Sequence, residues 1–224
     1  AVLERLVQTA DVLVENFKTD VKHRLKIDYE SLSKLNPRLI VGSISGFGQE
    51  GPYASRPGFD QIIQGMSGLM SLTGSPDGEP MRAGIAVSDT SAGMFLGQGI
   101  LLALLERQQT GRGQWVHTSL LESMLSKLDF QGSRYTMDGD SPGREGNHHP
   151  TAAPMGVFRA SDGFVNLAAT SGRMWRAFCK TLSLDALLED PRFETNQQRV
   201  KHREALIELI ESKTGQKTQA ALIK

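Results

Sequence analysis

An α/β fold is predicted for this 224-residue sequence by three observations. Helical and strand-like patterns alternate between residues 2 and 45, the order of βαβ units on a parallel sheet. A long apolar helical run occupies 89–107. Last, "GVFRASDGFVNLAA" (156–169) has the alternation of a hairpin, with a mostly helical tail after it. The expected arrangement is an α/β part of parallel strands and helices followed by a smaller α+β part.

Taken in order, residues 2–9 read as the tail of a helix and "DVLVENF" (11–17) as a short strand with Glu15 and Asn16 at its polar end. "DYESLSKLN" (28–36) is a short helix that Asp28 can cap, stopped by Pro37. "RLIVGSIS" (38–45) is apolar and β-branched enough for a buried strand. Gly46–Gly58 is a loop rich in Gly and Pro, and 60–74 is a helix loosened by Gly65 and Gly68. After a loop at 75–84, the run at 89–107 is apolar nearly all round, which predicts a central, buried helix. "TGRGQ" ends it, "WVHTSLL" is a strand, and 120–128 is a helix. Residues 134–154 form the longest loop, a length that points to function or to disorder. Expected domain limits are 1–130, a linking loop at 131–154, and 155–224.

Composition narrows the function classes. Lys plus Arg and Asp plus Glu both total 25, so the chain lacks the basic excess of a nucleic-acid or anionic-membrane surface. The uncharged stretch Thr90–Leu105 is short for a membrane span and holds three glycines. One cysteine, Cys179, excludes an internal disulfide and fits a reducing compartment; its helical flank "RAFCK" makes it a packing residue. The chain opens without Met inside a helical pattern and stops as another begins, which predicts a piece of a longer protein.

Two apparent motifs fail on context. "GFGQEG" (46–51) matches G-x-G-x-x-G after a strand, but Pro52 and "SRPG" follow where a phosphate-binding helix must start. His148 and His149 are adjacent without metal-ligand spacing, so no metal site is expected, and no Ser lies in a G-x-S-x-G elbow. Asp89 is different. It stands alone at the head of the apolar run among Gly84, Ala86, Ser88, Ser91, Ala92 and Gly93. As a helix cap it would be unexceptional. The same position leaves an ionised carboxylate open to a bulky electrophile, the requirement for covalent acyl transfer. Asp60 heads the preceding helix, and two such termini aimed into one cleft would make an acid/base or nucleophile pair.

The sequence resembles the class III CoA-transferases (CaiB/BaiF) from about residue 9 onward. The resemblance is carried by "ADVLVENF", "LNPRLIVGSISGFGQEGP", "RPGFDQIIQGMSGLM", "GIAVSDTSAGM", "ALLERQQTGRGQ", "GNHHPTAAPMGVF" and "DGFVNLA" in that order. It implies a Rossmann-like large domain, incomplete here, then a smaller α+β domain, with two chains interlocked as a homodimer. It implies a cytoplasmic (or mitochondrial matrix) enzyme whose substrates are an acyl-CoA and a small carboxylic acid. Coenzyme A is then a substrate, and no cofactor is held permanently.

By the same resemblance, Asp89 is the nucleophile that carries an aspartyl-CoA thioester, with Asp60 able to exchange protons with it. Asn16 and Arg24 fall on CoA contacts, Phe59 and Gln64 on the thioester pocket. Gly146, Asn147 and His148 fall on a mobile loop over the site, although a single glycine there leaves its part as an oxyanion clamp open. Arg56 and Arg82 could hold a distal carboxylate. The related α-methylacyl-CoA racemases are the alternative, but they place His where this chain has Phe59, so one face of the α-carbon would lack a base. A non-catalytic interaction domain is the third reading. An isolated piece of such a protein is expected to be inactive and to expose apolar surface.

Overall fold

The computed structural model describes residues 2–223, which divide into two compact units. The first runs to Thr73 and resumes at Glu79–Arg144; the second comprises Gly74–Gly78 and the chain from Glu145 onward. The main break therefore falls at Arg144/Glu145, inside the 131–154 stretch.

In the first unit, α1 (Val2–Thr9) leads into β1 (Val12–Glu15), then α2 (Thr19–Leu25) and α3 (Tyr29–Leu32), before β2 (Ile40–Ser45). Asp28 caps α3 as expected: its Oδ1 accepts from the Ser31 amide at 2.9 Å. α4 (Asp60–Met66), α5 (Leu69–Leu72) and α6 (Val87–Thr110) follow, then β3 (Trp115–Ser119) and α7 (Leu120–Lys127). The three strands form a parallel sheet in the order β1-β2-β3, with Val12 opposite Ile40 and Ser45 opposite Ser119. β2 is central and almost wholly buried, which explains its continuous apolar sequence.

Helix α6 crosses close over the sheet because glycine stands at both contacts. A Cβ on Gly42 of β2 would lie 2.9 Å from Ile100 Cδ1, and one on Gly99 would lie 2.6 Å from Val116 Cγ1 of β3. Two expectations for α6 need correction. At 24 residues it is long and apolar enough to cross a bilayer, so the Thr90–Leu105 run understated it. Nor is it buried all round: Ser91, Ala92, Leu96 and Ala103 are buried, whereas Met94, Leu101, Leu102 and Leu105 are exposed. A three-stranded sheet covers only one face of so long a helix.

Other departures are local. Residues 19–25, unassigned in sequence, are helical. The 60–74 helix breaks in two at Gly68, whose φ of +92° no ordinary helix accommodates. The start of the long loop is ordered: α8 (Asp129–Ser133) runs into a π-helical turn at Arg134–Asp138.

The second unit pairs β4 (Met155–Ala160) with β5 (Gly163–Ala168) as an antiparallel hairpin turning at Ser161–Asp162. Among the described residues four α-helices follow, α9 (Gly172–Thr181), α10 (Asn196–Lys201), α11 (Arg203–Thr214) and α12 (Gln219–Leu222), with a 3-10 turn at Asp185–Leu188 between the first two. Phe158, Trp175, Cys179, Phe193, Leu206 and Ile210 form their shared core. Burial pushes the Cys179 thiol up to about 11, which fits a packing residue and no thiolate chemistry.

Arg199 is buried beside this core without a carboxylate. It donates instead to the carbonyls of Ala153 (2.7 Å), Phe193 (3.0 Å), Glu194 (3.3 Å) and Thr170 (3.0 Å), and stands 5.0 Å over the Trp175 ring. Arg199→Leu would remove the donors and leave those carbonyls unpaired. It is expected to cost about 3 kcal/mol or more, measured by urea unfolding of the second unit.

Candidate active site

A cavity of about 470 Å³ opens at the carboxyl ends of the three strands. Its walls are the turn after β1 (Asn16, Phe17, Lys18), the end of β2 (Ser45, Gly46), the segment Ala54 to Asp60, and Asp89. This is where open parallel sheets place ligands, because the loops leaving adjacent strands diverge there. A larger recess of about 610 Å³ lies against α5, α7 and α8, but Asp129 is its only carboxylate. The chemistry favours the smaller cavity.

Asp60 and Asp89 both line it, and the structure gives them opposite characters. Asp60 is the first residue of α4, yet its carboxylate serves α6. Oδ1 accepts from the Ser88 amide (2.9 Å) and the Ser88 hydroxyl (2.8 Å), and Oδ2 accepts from Gln64 Nε2 (2.7 Å). Arg82 Nη2 lies 3.7 Å away. Desolvation pushes the Asp60 carboxyl up, but these donors and the Arg82 charge together hold it below the usual range. Asp60 is therefore held toward its ionised form with three hydrogen bonds on its two oxygens, which favours a positioning part for it over the proton exchange with Asp89 that the resemblance implies.

Asp89 is the third residue of α6, after Val87 and Ser88, with Ala86 at the cap position. It is not the cap. Because Asp60 reaches across 28 residues to satisfy the Ser88 amide, the Asp89 carboxylate is left exposed and makes no hydrogen bond to any described residue. Desolvation, and then the charge of Asp60, push its pKa up. A carboxylate merely held ionised by a helix end would have shifted the other way. A more basic carboxylate with unoccupied lone pairs is a better nucleophile while it remains ionised.

Gln64 does not face a ligand. It is fully buried; its Nε2 also donates to the Ile85 carbonyl (3.2 Å), and its Oε1 accepts from the Ala83 amide (2.8 Å). It ties Asp60 to the segment that leads into α6, so its expected substrate contact is corrected to a positioning one. Removing the charge it supports tests the network. Asp60→Asn is expected to lower Tm, with a cost of about 1–3 kcal/mol as its donors lose their acceptor. It should also lower the pKa of Asp89 part way, since desolvation, the larger influence, stays.

Of the remaining candidates, Asn16 and Phe59 line the cavity, joined by Lys18 and Arg56, whose wall positions the sequence did not single out as a pair. Arg24 does not join them: it lies exposed in the last turn of α2. Among the described residues, one grouping of possible metal ligands occurs, His23, Asp28 and Glu30, but both Asp28 oxygens are engaged at the start of α3.

Gly146, Asn147 and His148 lie in the second unit, along a recess of about 490 Å³ with Met155 and Asn166. This is the stretch expected as a mobile loop, and in the structure several hydrogen bonds tie it down. Arg203 of α11 pairs with Glu145 and donates to the His149 and Pro150 carbonyls, both at 2.8 Å. The Gly146 amide donates to Gly74 (3.0 Å), and Asn147 accepts from Val157 (3.1 Å). The His148 ring packs edge-on against Phe158, 5.3 Å between centroids, and burial there lowers its pKa, which favours the neutral imidazole.

The chain matches the family model described as CoA-transferase family III over residues 1–224. It is 44% identical over 214 residues to a succinate–glutarate CoA-transferase of Agrobacterium fabrum, covering 96% of this chain and 54% of that one. It is 41% identical over 212 residues to an acetyl-CoA:oxalate CoA-transferase of Acetobacter aceti, covering 94% and 54%. A solved CAIB/BAIF family protein from Brucella suis superposes with a TM-score of 0.85 at 42% identity, over 99% of this chain and 58% of that one. The chain thus spans about half the length of the curated relatives it matches. Residues 1–224 belong to CoA-transferase family III.

Proposed function

We propose that the protein moves coenzyme A from an acyl-CoA to a carboxylic acid by way of Asp89. An oxygen of its carboxylate attacks the thioester carbonyl; the carbon–sulfur bond breaks, leaving CoA thiolate and a mixed anhydride. The thiolate then attacks the Asp89 carbonyl of that anhydride, releasing the donor acid and forming an aspartyl-CoA thioester. The acceptor carboxylate repeats the sequence in reverse, displacing the thiolate and recapturing it. Asp89 returns as a free carboxylate, and no net proton is exchanged. Names among the relatives pair succinate with glutarate and acetyl-CoA with oxalate, and we carry a short dicarboxylate to this chain as its acid substrate. A homodimer and a cytoplasmic or mitochondrial-matrix location are part of the same proposal.

The observation that carries it is the unpaired Asp89 carboxylate on a cavity at the strand ends, beside an acid whose oxygens already accept three hydrogen bonds. Racemisation is not favoured: Phe59 occupies the wall where an imidazole base would be needed, and no His lines the cavity. Acyl-CoA and hydroxylamine supplied together should convert Asp89 to its hydroxamate, located by peptide mass spectrometry. Acyl-CoA turnover without modification of Asp89 would defeat the mechanism, and rapid α-carbon deuterium exchange in D₂O would favour the racemase.

A further inference from the structure

Lys22 is a lysine where an apolar residue would be expected. It sits in α2 with a relative exposure of 2%, its ammonium 4.3 Å over the Trp115 ring of β3. Burial lowers its pKa, against the pull of Glu15, Glu30 and Asp28. Taking an ammonium out of water is costly, and a methionine would cover Trp115 without that cost. The partners explain the choice. Its Nζ bonds to Gln49 Oε1 in the 46–58 loop and lies 3.9 Å from Glu15 Oε1 at the end of β1. That Glu15 oxygen is buried and has no hydrogen-bond partner, while Oε2 accepts from the Phe17 amide at 2.8 Å. One cation therefore joins the turn after β1 to the loop after β2.

Both joined segments are walls of the cavity: Asn16–Lys18 on one side, Ala54 to Phe59 on the other. A second tie lies one turn earlier in α2, where the Thr19 hydroxyl donates to the Ala54 carbonyl at 2.5 Å. Neither Lys22 nor Gln49 lines the cavity. We propose that Lys22 is a positioning residue that fastens the 46–58 loop across the strand ends and so sets the spacing between the two cavity walls. Only the kinetic part of its test rests on the acyl-CoA reading.

The test compares the protein with Lys22→Met and with the double variant Glu15→Gln/Lys22→Met. The double variant removes both buried charges and keeps a folded comparison available should the single variant unfold. Hydrogen exchange across 46–58 is expected to speed up about tenfold in the double variant, with α6 and β2 keeping their protection. KM for acyl-CoA is expected to rise about tenfold while kcat stays within about twofold. Unchanged exchange in the loop, exchange that rises equally throughout the first unit, or kcat falling together with KM unchanged would each overturn the assignment. A protein without any CoA transfer would defeat the transferase reading alone, and the exchange measurement would still decide the role of Lys22.

Discussion

Asp89→Ala is expected to abolish CoA transfer, lowering kcat by about four orders of magnitude or more, because no other group on the cavity can take its place. Asp60 is nearest in kind, but its oxygens already accept from Ser88 and Gln64. The loss should appear in kcat with acyl-CoA binding retained, since Asn16, Lys18, Arg56 and Phe59 remain. The pH profile carries a second signature. With desolvation and Asp60 raising its pKa, Asp89 ionises at higher pH than an unperturbed aspartate, and the acid limb of kcat/KM should be shifted upward with it. Asp60→Asn should move that limb downward. The linkage sign follows. The folded state binds this proton more tightly than the unfolded chain does. Asp89 thus favours folding at low pH and loses that contribution as pH rises through the raised pKa. Asp89→Asn should remove this part of the pH dependence of Tm. A kcat for Asp89→Ala within tenfold of the parent would rule out the covalent route.

The strands, the Asp28 cap and the hairpin turn were legible because each is specified by neighbours in sequence: apolar runs, a capping residue before a short helix, two residues between alternating segments. The α6 terminus was not. Asp89 looked like the cap because Asp is a favoured cap residue, and the true partner of the Ser88 amide lies 28 residues away on α4. Helix α2 was missed for a related reason. "TDVKHRL" carries little apolar periodicity, and its ties are polar ones to Ala54 and Gln49. Gln64 shows the limit of spacing arguments. It does lie one turn from Asp60 on the same face, but that face is turned inward against Ala83 and Ile85. Exposed apolar surface is expected of such a piece, but not its place on α6, since composition does not say how many strands will cover a helix.

Gly58→Ala is expected to be the next most damaging change after loss of Asp89, the proposed nucleophile, although it changes no chemical group. A Cβ on Gly58 would stand 2.3 Å from the Gly46 Cα, and one on Gly46 would stand 2.5 Å from the Gly58 Cα. The obstructing atoms are backbone, so no rotamer change relieves them; the two ends of the 46–58 loop must separate by about 1 Å or more to restore van der Waals contact. Gly46 continues β2, which is fixed by hydrogen bonding to both neighbours, so the displacement falls on Gly58 and the residues after it. Those are Phe59, on the cavity wall, and Asp60, whose bonds to Ser88 are 2.8 and 2.9 Å and have little reach to spare. A shift of this size in a reacting geometry costs about 10²-fold in rate, so kcat/KM should fall by about that factor. The overpacking itself should cost about 1–3 kcal/mol in unfolding measurements. Gly143→Ala is the comparison: a Cβ at that exposed position meets nothing within 4 Å, and its kinetics should match the parent. Parent-like kcat/KM in Gly58→Ala would show that the loop ends separate without disturbing Asp60. The close Gly46–Gly58 contact would then have to be abandoned as what sets the position of Asp60 beside Asp89.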